Sequence, residues 1–334
     1  MIIAKPYLLF LGDSVRDAAA KTGFGLRDWC PNDCIGQWSL PTGTVDLGLP
    51  ALRPAEAVGA GAKSLVIAVA PIGGSIADSW IPSLIAALEA GLDIVSGMHT
   101  RLAEVPGLQA VALRCGRRLV DVRHPRNIFS VASGVKRQGK RVLTVGTDCA
   151  LGKKYTALAL TRELNSRGIR ADFRATGQTG IMISGSGVAI DAVVADFIAG
   201  AAESLSPANA PEHWDVIEGQ GSLFHPAYAG VTLGLLHGSQ PDALVLCHDP
   251  SRLHIEGFPE FPLLDLDTAI RRYLEAARLT NPRAVFVGVS LNTSTLPAHR
   301  RAELIARIEH QLELPCCDPL ITGVAPIGDR LALL

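Results

Sequence analysis

GTDCALGKKYT, running from Gly146 to Thr156, is the stretch that decides how this chain folds. Val142–Val145 ahead of it is a continuous apolar run, as a strand covered on both faces would be. A stretch with Leu158, Leu160 and Leu164 among its apolar positions follows and reads as a helix. Strand, glycine loop, lysine and helix, in that order, make a phosphate cradle. Glycine at 146 and 152 lets the backbone turn so that successive N–H groups point at one anion, and the helix N-terminus adds the positive end of a dipole. Lys153 supplies a mobile point charge for phosphate oxygens. Gly146, Thr147, Asp148, Cys149, Ala150, Leu151, Gly152, Lys153, Lys154 and Tyr155 are therefore the expected cofactor-binding segment.

One position departs from the pattern of loops that cleave Mg²⁺–nucleotides. Those place Ser or Thr directly after the lysine to hold the metal, and here that residue is Lys154. An ammonium group repels a cation. Thr156 lies two positions on, roughly 200° round the helix, and is no ready substitute. The expectation is a phosphate-rich cofactor and no metal.

Outward from the loop, short apolar runs alternate with amphipathic or Ala-rich stretches. Tyr7–Leu11, Ser64–Ala70 and Leu92–Val95 read as strands, with helices at Pro54–Gly61 and Ile81–Gly91. The small, polar and basic segment SVASGVKRQGKR near 129–140 marks a linker. Beyond it, strands are expected at Arg141–Val145, Ile169–Arg174, His213–Ile217, Ala243–Cys247 and Ala284–Val289. Helices are expected at Gly152–Ser166, Ile190–Leu205, Leu266–Leu279 and Ala298–Leu312. Strands alternating with helices imply right-handed crossovers and parallel sheets. The expected fold class is α/β with two domains: a Rossmann-like α/β domain over 1–135, then a P-loop NTPase-like doubly wound parallel sheet over 136–334. AVAPIGG (68–74) and GVAPIGD (323–329) echo each other, and both read as strand ends turning on Pro and Gly.

Composition narrows the partners. The 334 residues are 48% hydrophobic and 19% charged, with a net charge of −1, which gives no global field to hold a nucleic acid. The N-terminal MIIAKPYLLFLGDS is too short and too quickly polar for a membrane span, and no later run is long enough. Seven scattered cysteines make no closed disulfide framework and point to a reducing cytoplasm. Cys30 and Cys34 lack a second ligand pair at finger spacing, and vicinal Cys316–Cys317 reads as packing. A small molecule is the expected partner, and a homodimer is expected from the frequency of two-fold assemblies.

Other loops at strand ends carry chemistry, where open α/β sheets bind ligands. Glu218 closes the strand in HWDVIEGQGSLFHPAY and is a candidate functional carboxylate, with His225 further along the same loop. ATGQTGIMISGSG (175–187) holds Gly, Ser and Thr without charge, and Gln178 and Thr179 are its candidate polar contacts. In CHDPSR (247–252), His248 and Asp249 form a candidate acid–base pair and Arg252 a carboxylate fork. PIGGS (71–75), GMHTR (97–101) and DVRHP (121–125) are further strand-end loops in the first domain, with His99 and Arg123 the residues to watch.

GTDCALGKKYTA, ATGQTGIMISGSGVAIDAVVADFIAGAAE, VIEGQGSLFHPAYAGVTLGLLHGSQPDALVLCH, VAPIGG and SGMH together resemble a bacterial and archaeal P-loop family long catalogued only as a domain of unknown function. The resemblance spans nearly the whole chain. It implies the activity of the family's characterised branch, acetyl-CoA-dependent N-acetylation of D-glutamate. A loop without its magnesium hydroxyl suits coenzyme A, which carries a pyrophosphate and a 3′-phosphate. On that reading Glu218 or His225, with Asp249 as a further candidate, handles the amine proton. Loop N–H groups near Gly177–Gly180 meet the oxyanion, and Arg101, Arg123 or Arg252 holds the glutamate carboxylates. The loop also resembles that of dethiobiotin synthetase, which keeps an ATP-dependent carboxylate-activating ligase or kinase as the alternative. A nucleotide-binding regulatory module without turnover is the third possibility.

Overall fold

The computed structural model describes residues 3–71, 73–124 and 128–334, the side chain of Ala18 aside. Ile72 of PIGGS and Pro125 of DVRHP fall outside the described residues. In chain order the elements are β1 (Tyr7–Gly12), α1 (Lys21–Trp29), β2 (Cys34–Ser39), α2 (Pro54–Gly59), β3 (Ser64–Ile67), α3 (Ile81–Ala90), β4 (Asp93–Ser96), α4 (Leu108–Cys115) and β5 (Leu119–Asp121). Then come β6 (Lys140–Gly146), α5 (Lys153–Ser166), β7 (Ala171–Arg174), α6 (Gln178–Ser184), α7 (Ile198–Leu205), β8 (Trp214–Ile217), α8 (Ala229–Ser239) and β9 (Ala243–His248). A hairpin of β10 (His254–Ile255) and β11 (Phe258–Pro262) follows, then α9 (Leu266–Ala277), β12 (Val285–Leu291), α10 (Ala298–Leu312), β13 (Cys316–Cys317) and α11 (Ala325–Ala332).

These elements form two compact units. One comprises 1–126 with 177–192, the other 127–176 with 193–334. The chain thus crosses units twice more than a single break at 135 provides for, because α6 packs against α1 of the first unit. The linker reading of 129–140 is also modified. Arg137 donates to the carbonyls of Ser206 and Gly238, Lys136 pairs with Asp242 at 2.8 Å, and Ser130 O lies where a Cβ on Gly200 would stand. The basic residues are anchors, not a solvated tether.

The first unit is a parallel five-stranded sheet in the order β2-β1-β3-β4-β5. Its three central strands, β1, β3 and β4, are buried along their length, with Leu8, Leu9, Phe10, Leu65 and Ile94 at 0% exposure. The second unit is a parallel six-stranded sheet in the order β13-β12-β9-β6-β8-β7. Here α5 lays Ala157, Leu160 and Leu164 onto Val142, Trp214, Val216, Val245 and Val287, and α11 adds Ile327 and Leu331. Each such aliphatic side chain contributes about 1.5–3 kcal/mol on burial, which fixes the helix that starts at the phosphate loop.

β6 is the first strand of its unit, and successive strands are added on one side of it and then the other. Strand order reverses there, and the loops after β6, β8 and β9 come side by side at the carboxyl edge, where such sheets bind ligands. No helix among the described residues is long and apolar enough to cross a membrane.

Candidate functional site

The phosphate loop is built by β6 stopping at Gly146 and α5 starting at Lys153. Between them Ala150 and Gly152 take left-handed φ values of 56° and 102°, which turn the chain tightly enough to bring Lys153 back over the loop. Lys153 is 6% exposed, and its Nζ donates to Asp148 O at 2.8 Å. That is its one protein acceptor among the described residues, so two donors of a buried ammonium lack a protein partner. Burial pulls its pKa down, against the raising influence of Cys149, Cys247 and Asp148. A buried cation so poorly compensated is a demand for an anion.

Three side chains from three elements hold consecutive residues of the loop. Tyr273 of α9 is fully buried and donates to Gly146 O at 2.8 Å, while its oxygen accepts Leu223 N–H at 3.1 Å; burial pushes its phenol up to about 12. His248 Nδ1 and Thr147 Oγ1 are hydrogen-bonded at 2.9 Å. Arg252 donates to Asp148 Oδ2 at 2.8 Å and to Cys149 O at 2.9 Å. Asp148 is itself fully buried and also accepts the N–H groups of Cys149 and Glu256. The loop is thereby shaped before any ligand arrives.

The hydroxyl that a magnesium site needs is not at hand. Thr156 Oγ1 donates to Gly152 O at 3.1 Å, and it is hydrogen-bonded to Ser290 Oγ at 2.8 Å under the loop. Lys154 extends over the Tyr155 ring at 5.1 Å. Leu151 is buried beneath the turn.

Glu218 ends β8, beside β6, and is 4% exposed. Its Oε2 accepts Thr176 N–H at 3.0 Å, and Thr176 Oγ1 donates to Glu218 O at 2.6 Å while accepting Gln220 Nε2–H at 3.2 Å. The carboxylate is thus turned toward the end of β7, on the far side of β8 from the loop. Next to it, Gly219 must be glycine: a Cβ there would stand 1.7 Å from Thr144 O and 3.0 Å from Lys153 Cδ. His225 lies on the same loop but at the phosphate cradle. A ring nitrogen of His225, a carboxylate oxygen of Asp148 and Cys149 Sγ are within 4.8 Å of one another. This trio is a poor cation site, because Arg252 and backbone N–H groups already saturate Asp148 and Lys153 stands beside it.

Other expected site residues take different places. Asp249 is an internal brace: Oδ1 accepts Ser251 N–H and Oγ–H at 3.0 and 2.6 Å, and Oδ2 faces Asn292 and Arg252. No hydrogen bond joins it to His248 among the described residues, though its charge acts on the His248 imidazole. Arg252, bound to the loop, is not a free carboxylate fork. In the first unit Gln178 packs against Gly97, and Thr179 Oγ1 shares a 2.9 Å hydrogen bond with Thr22 Oγ1. Arg123 is buried, donating to Gly97 O at 2.8 Å and pairing with Asp191. Arg101 is exposed beside Glu104. The segment 175–187 is largely helix, not loop, so the N–H groups near Gly177–Gly180 belong to the first turn of α6. Cys30 and Cys34 belong to no described group of three metal-ligating side chains, and burial pushes Cys34 up to about 12.

Tyr273, Thr176 and Thr144 are site residues that sequence reasoning missed. An aromatic on the apolar face of an amphipathic helix carries no signal that its hydroxyl bridges two loops 127 and 50 residues away.

Comparison with known proteins agrees with this architecture. Residues 33–125 match the Rossmann-like domain of unknown function DUF1611_N, and 130–328 the P-loop domain of unknown function DUF1611_C. A protein of Tritonibacter scottomollicae described as D-glutamate N-acetyltransferase is 49% identical over 331 residues, covering 99% of both chains. One from a Pseudoalteromonas species with the same description is 48% identical, covering 99% of this chain and all of the relative. The crystal structure of a DUF1611 family protein from Anabaena variabilis superposes with a TM-score of 0.88 at 36% identity, over 98% of this chain and 100% of that one. With both of its domains matched and full-length relatives at nearly half identity, this chain belongs to the DUF1611 family.

Proposed function

We propose that this protein transfers the acetyl group of acetyl-CoA to the amino group of D-glutamate. The observation that carries the reading is a phosphate loop braced by Tyr273, His248 and Arg252, with Lys154 where a magnesium hydroxyl would stand and the Thr156 hydroxyl turned under the loop onto Ser290. Such a loop suits phosphates that are held and not cleaved. The names of the full-length relatives support the acceptor and the reaction type.

The reaction needs a free amine. Glu218 takes a proton from the substrate ammonium, directly or through a water, and the amine attacks the thioester carbonyl. Collapse of the tetrahedral adduct expels the CoA thiolate, which leaves as the thiol once protonated. The thioester sits at the far end of the pantetheine arm, some dozen bonds from the pyrophosphate and roughly 15 Å away when extended. The Glu218 carboxylate points to the end of β7, two strand spacings or roughly 10 Å from β6, so a part-folded arm spans the gap. A cytoplasmic homodimer belongs to the same proposal, on the seven unpaired cysteines and the frequency of two-fold assemblies.

The test is thiol release from acetyl-CoA with D-glutamate as acceptor, run with Mg²⁺ and with EDTA. Equal rates in both are expected. Absence of thiol release together with Mg²⁺-dependent phosphate release from ATP would favour the ligase or kinase, for which the placement of Thr156 offers no support.

A further inference from the structure

His225 is buried to 3% exposure beside the phosphate loop, and its surroundings define which of its nitrogens can act. Nδ1 accepts the Ala227 N–H at 3.1 Å, so the neutral ring carries its proton on Nε2. No protein acceptor for that N–H is found among the described residues. The ring is clasped by Tyr228, with centroids 4.5 Å apart, and by Phe258 of β11, edge-on at 5.1 Å. The charged and titratable groups around it are Asp148, Cys149 and Lys153 of the loop and Glu256 of the hairpin. Burial, with Lys153, holds the imidazole below its ordinary pKa, so it is a neutral donor at pH 7.

A ring nitrogen of His225 stands within 4.8 Å of the ligand atoms of Asp148 and Cys149, the second and third residues between the two loop glycines, so the side chain is within reach of whatever anion the loop holds. By the same token it is far from an amine that meets the thioester at the other end of the pantetheine arm. We propose that His225 donates Nε2–H to the pyrophosphate seated in the 146–153 loop and is a phosphate-binding residue, not the proton acceptor of acetyl transfer. The assignment rests on the acetyl-CoA reading for the identity of the ligand, but its chemistry is that of any pyrophosphate.

The experiment compares wild type with H225Q, whose amide N–H reaches the Nε2 position, and H225N, whose shorter amide reaches only that of Nδ1. Inorganic pyrophosphate, CoA and metal-free ATP are titrated by calorimetry, and thiol release is followed as acetyl-CoA is varied. H225N is expected to weaken pyrophosphate and CoA about tenfold or more, and H225Q by no more than about threefold, as for one hydrogen bond to a charged group. KM for acetyl-CoA should follow Kd, with kcat nearly unchanged in both variants. Unaltered pyrophosphate affinity in H225N would overturn the proposal, as would loss of kcat at saturating acetyl-CoA without change in Kd. If wild type releases no thiol but H225N still loses pyrophosphate, the phosphate role stands and acetyl transfer falls. ATP weakened alongside pyrophosphate while CoA is unaffected would refute coenzyme A as the occupant.

Discussion

Replacing Tyr273 by Phe removes one oxygen and leaves the ring, with its edge-to-face contact to Phe224 at 5.3 Å, in place. That oxygen donates to Gly146 O at 2.8 Å and accepts Leu223 N–H at 3.1 Å. Each bond contributes about 1 kcal/mol net, and the groups left behind are shielded from water, so about 2 kcal/mol of stability is lost. For a unit of some 190 residues each kcal/mol moves Tm by roughly 2–4 °C, which gives a fall of about 4–8 °C in a thermal melt. Pyrophosphate affinity should fall several-fold in the same variant, because the first residue of its cradle is no longer tied to the loop that carries His225. A Tm within about 1 °C of wild type, with pyrophosphate affinity unchanged, would refute the view that this hydroxyl braces the loop.

Glu218→Gln should lower kcat at least ~10²-fold with little change in CoA affinity, measured by thiol release and calorimetry; near-normal turnover would remove Glu218 from proton transfer. Lys153 gives a pH signature of two opposed trends. Its folded-state pKa is depressed below the ordinary 10.5 by burial. Between those two values the unfolded chain holds a proton that the folded chain has lost, so this group's contribution to stability rises with pH across that window. Pyrophosphate affinity should fall across the same window as the charge disappears, and Lys153→Met should abolish both trends in chemical denaturation and binding titrations.

The strands that were legible in the sequence are those buried on both faces, since a run such as Val142–Val145 has no alternative to a sheet interior. β2 escaped notice because CIGQWS carries Gly36 and Gln37, and the side chain of Gln37 is used to hold Leu47 N–H and Asp46. α8 escaped because Gly230, Gly234 and Gly238 suggest a loop. In the fold, two of these glycines admit a neighbouring helix: a Cβ on Gly238 would meet Ala199 O at 2.1 Å, and one on Gly234 would meet Ile198 Cγ2 at 2.6 Å. Ile190–Leu205 is one helical pattern but not one helix. Short 3-10 turns at Ile190–Ala192 and Ala195–Phe197 precede α7, and the chain passes from one unit to the other between residues 192 and 193. The likeness of AVAPIGG to GVAPIGD also dissolves, because the second places Pro326 in the first turn of α11, where a missing N–H does no harm. At the site, the loop and Glu218 could be read from local order alone. The partners of Arg252, Asp249 and Tyr273 are set by chain pairs far apart in sequence, which no local pattern records.

A loop that binds phosphates without cleaving them divides the work of an enzyme in a way that kinetics can read. In phosphoryl transfer the charge on the phosphate changes in the transition state, and a metal is placed there to meet it. In acetyl transfer the phosphates of coenzyme A carry the same charge before, during and after the reaction. Contacts to them bind ground state and transition state alike, so they lower KM and leave kcat alone, apart from the orientation they lend to the arm. Lys153→Ala should therefore raise KM for acetyl-CoA more than tenfold, about the effect of losing a charge-assisted contact, and kcat should recover at saturation. On the proposed mechanism Glu218 should behave the other way, since there it meets charge that moves. The two readouts follow from the geometry: Lys153 lies over β6, and the Glu218 carboxylate is turned away from it to the end of β7. Were Lys153→Ala to lower kcat as much as kcat/KM, the loop would be acting on the reacting atoms and the division of the site would be wrong.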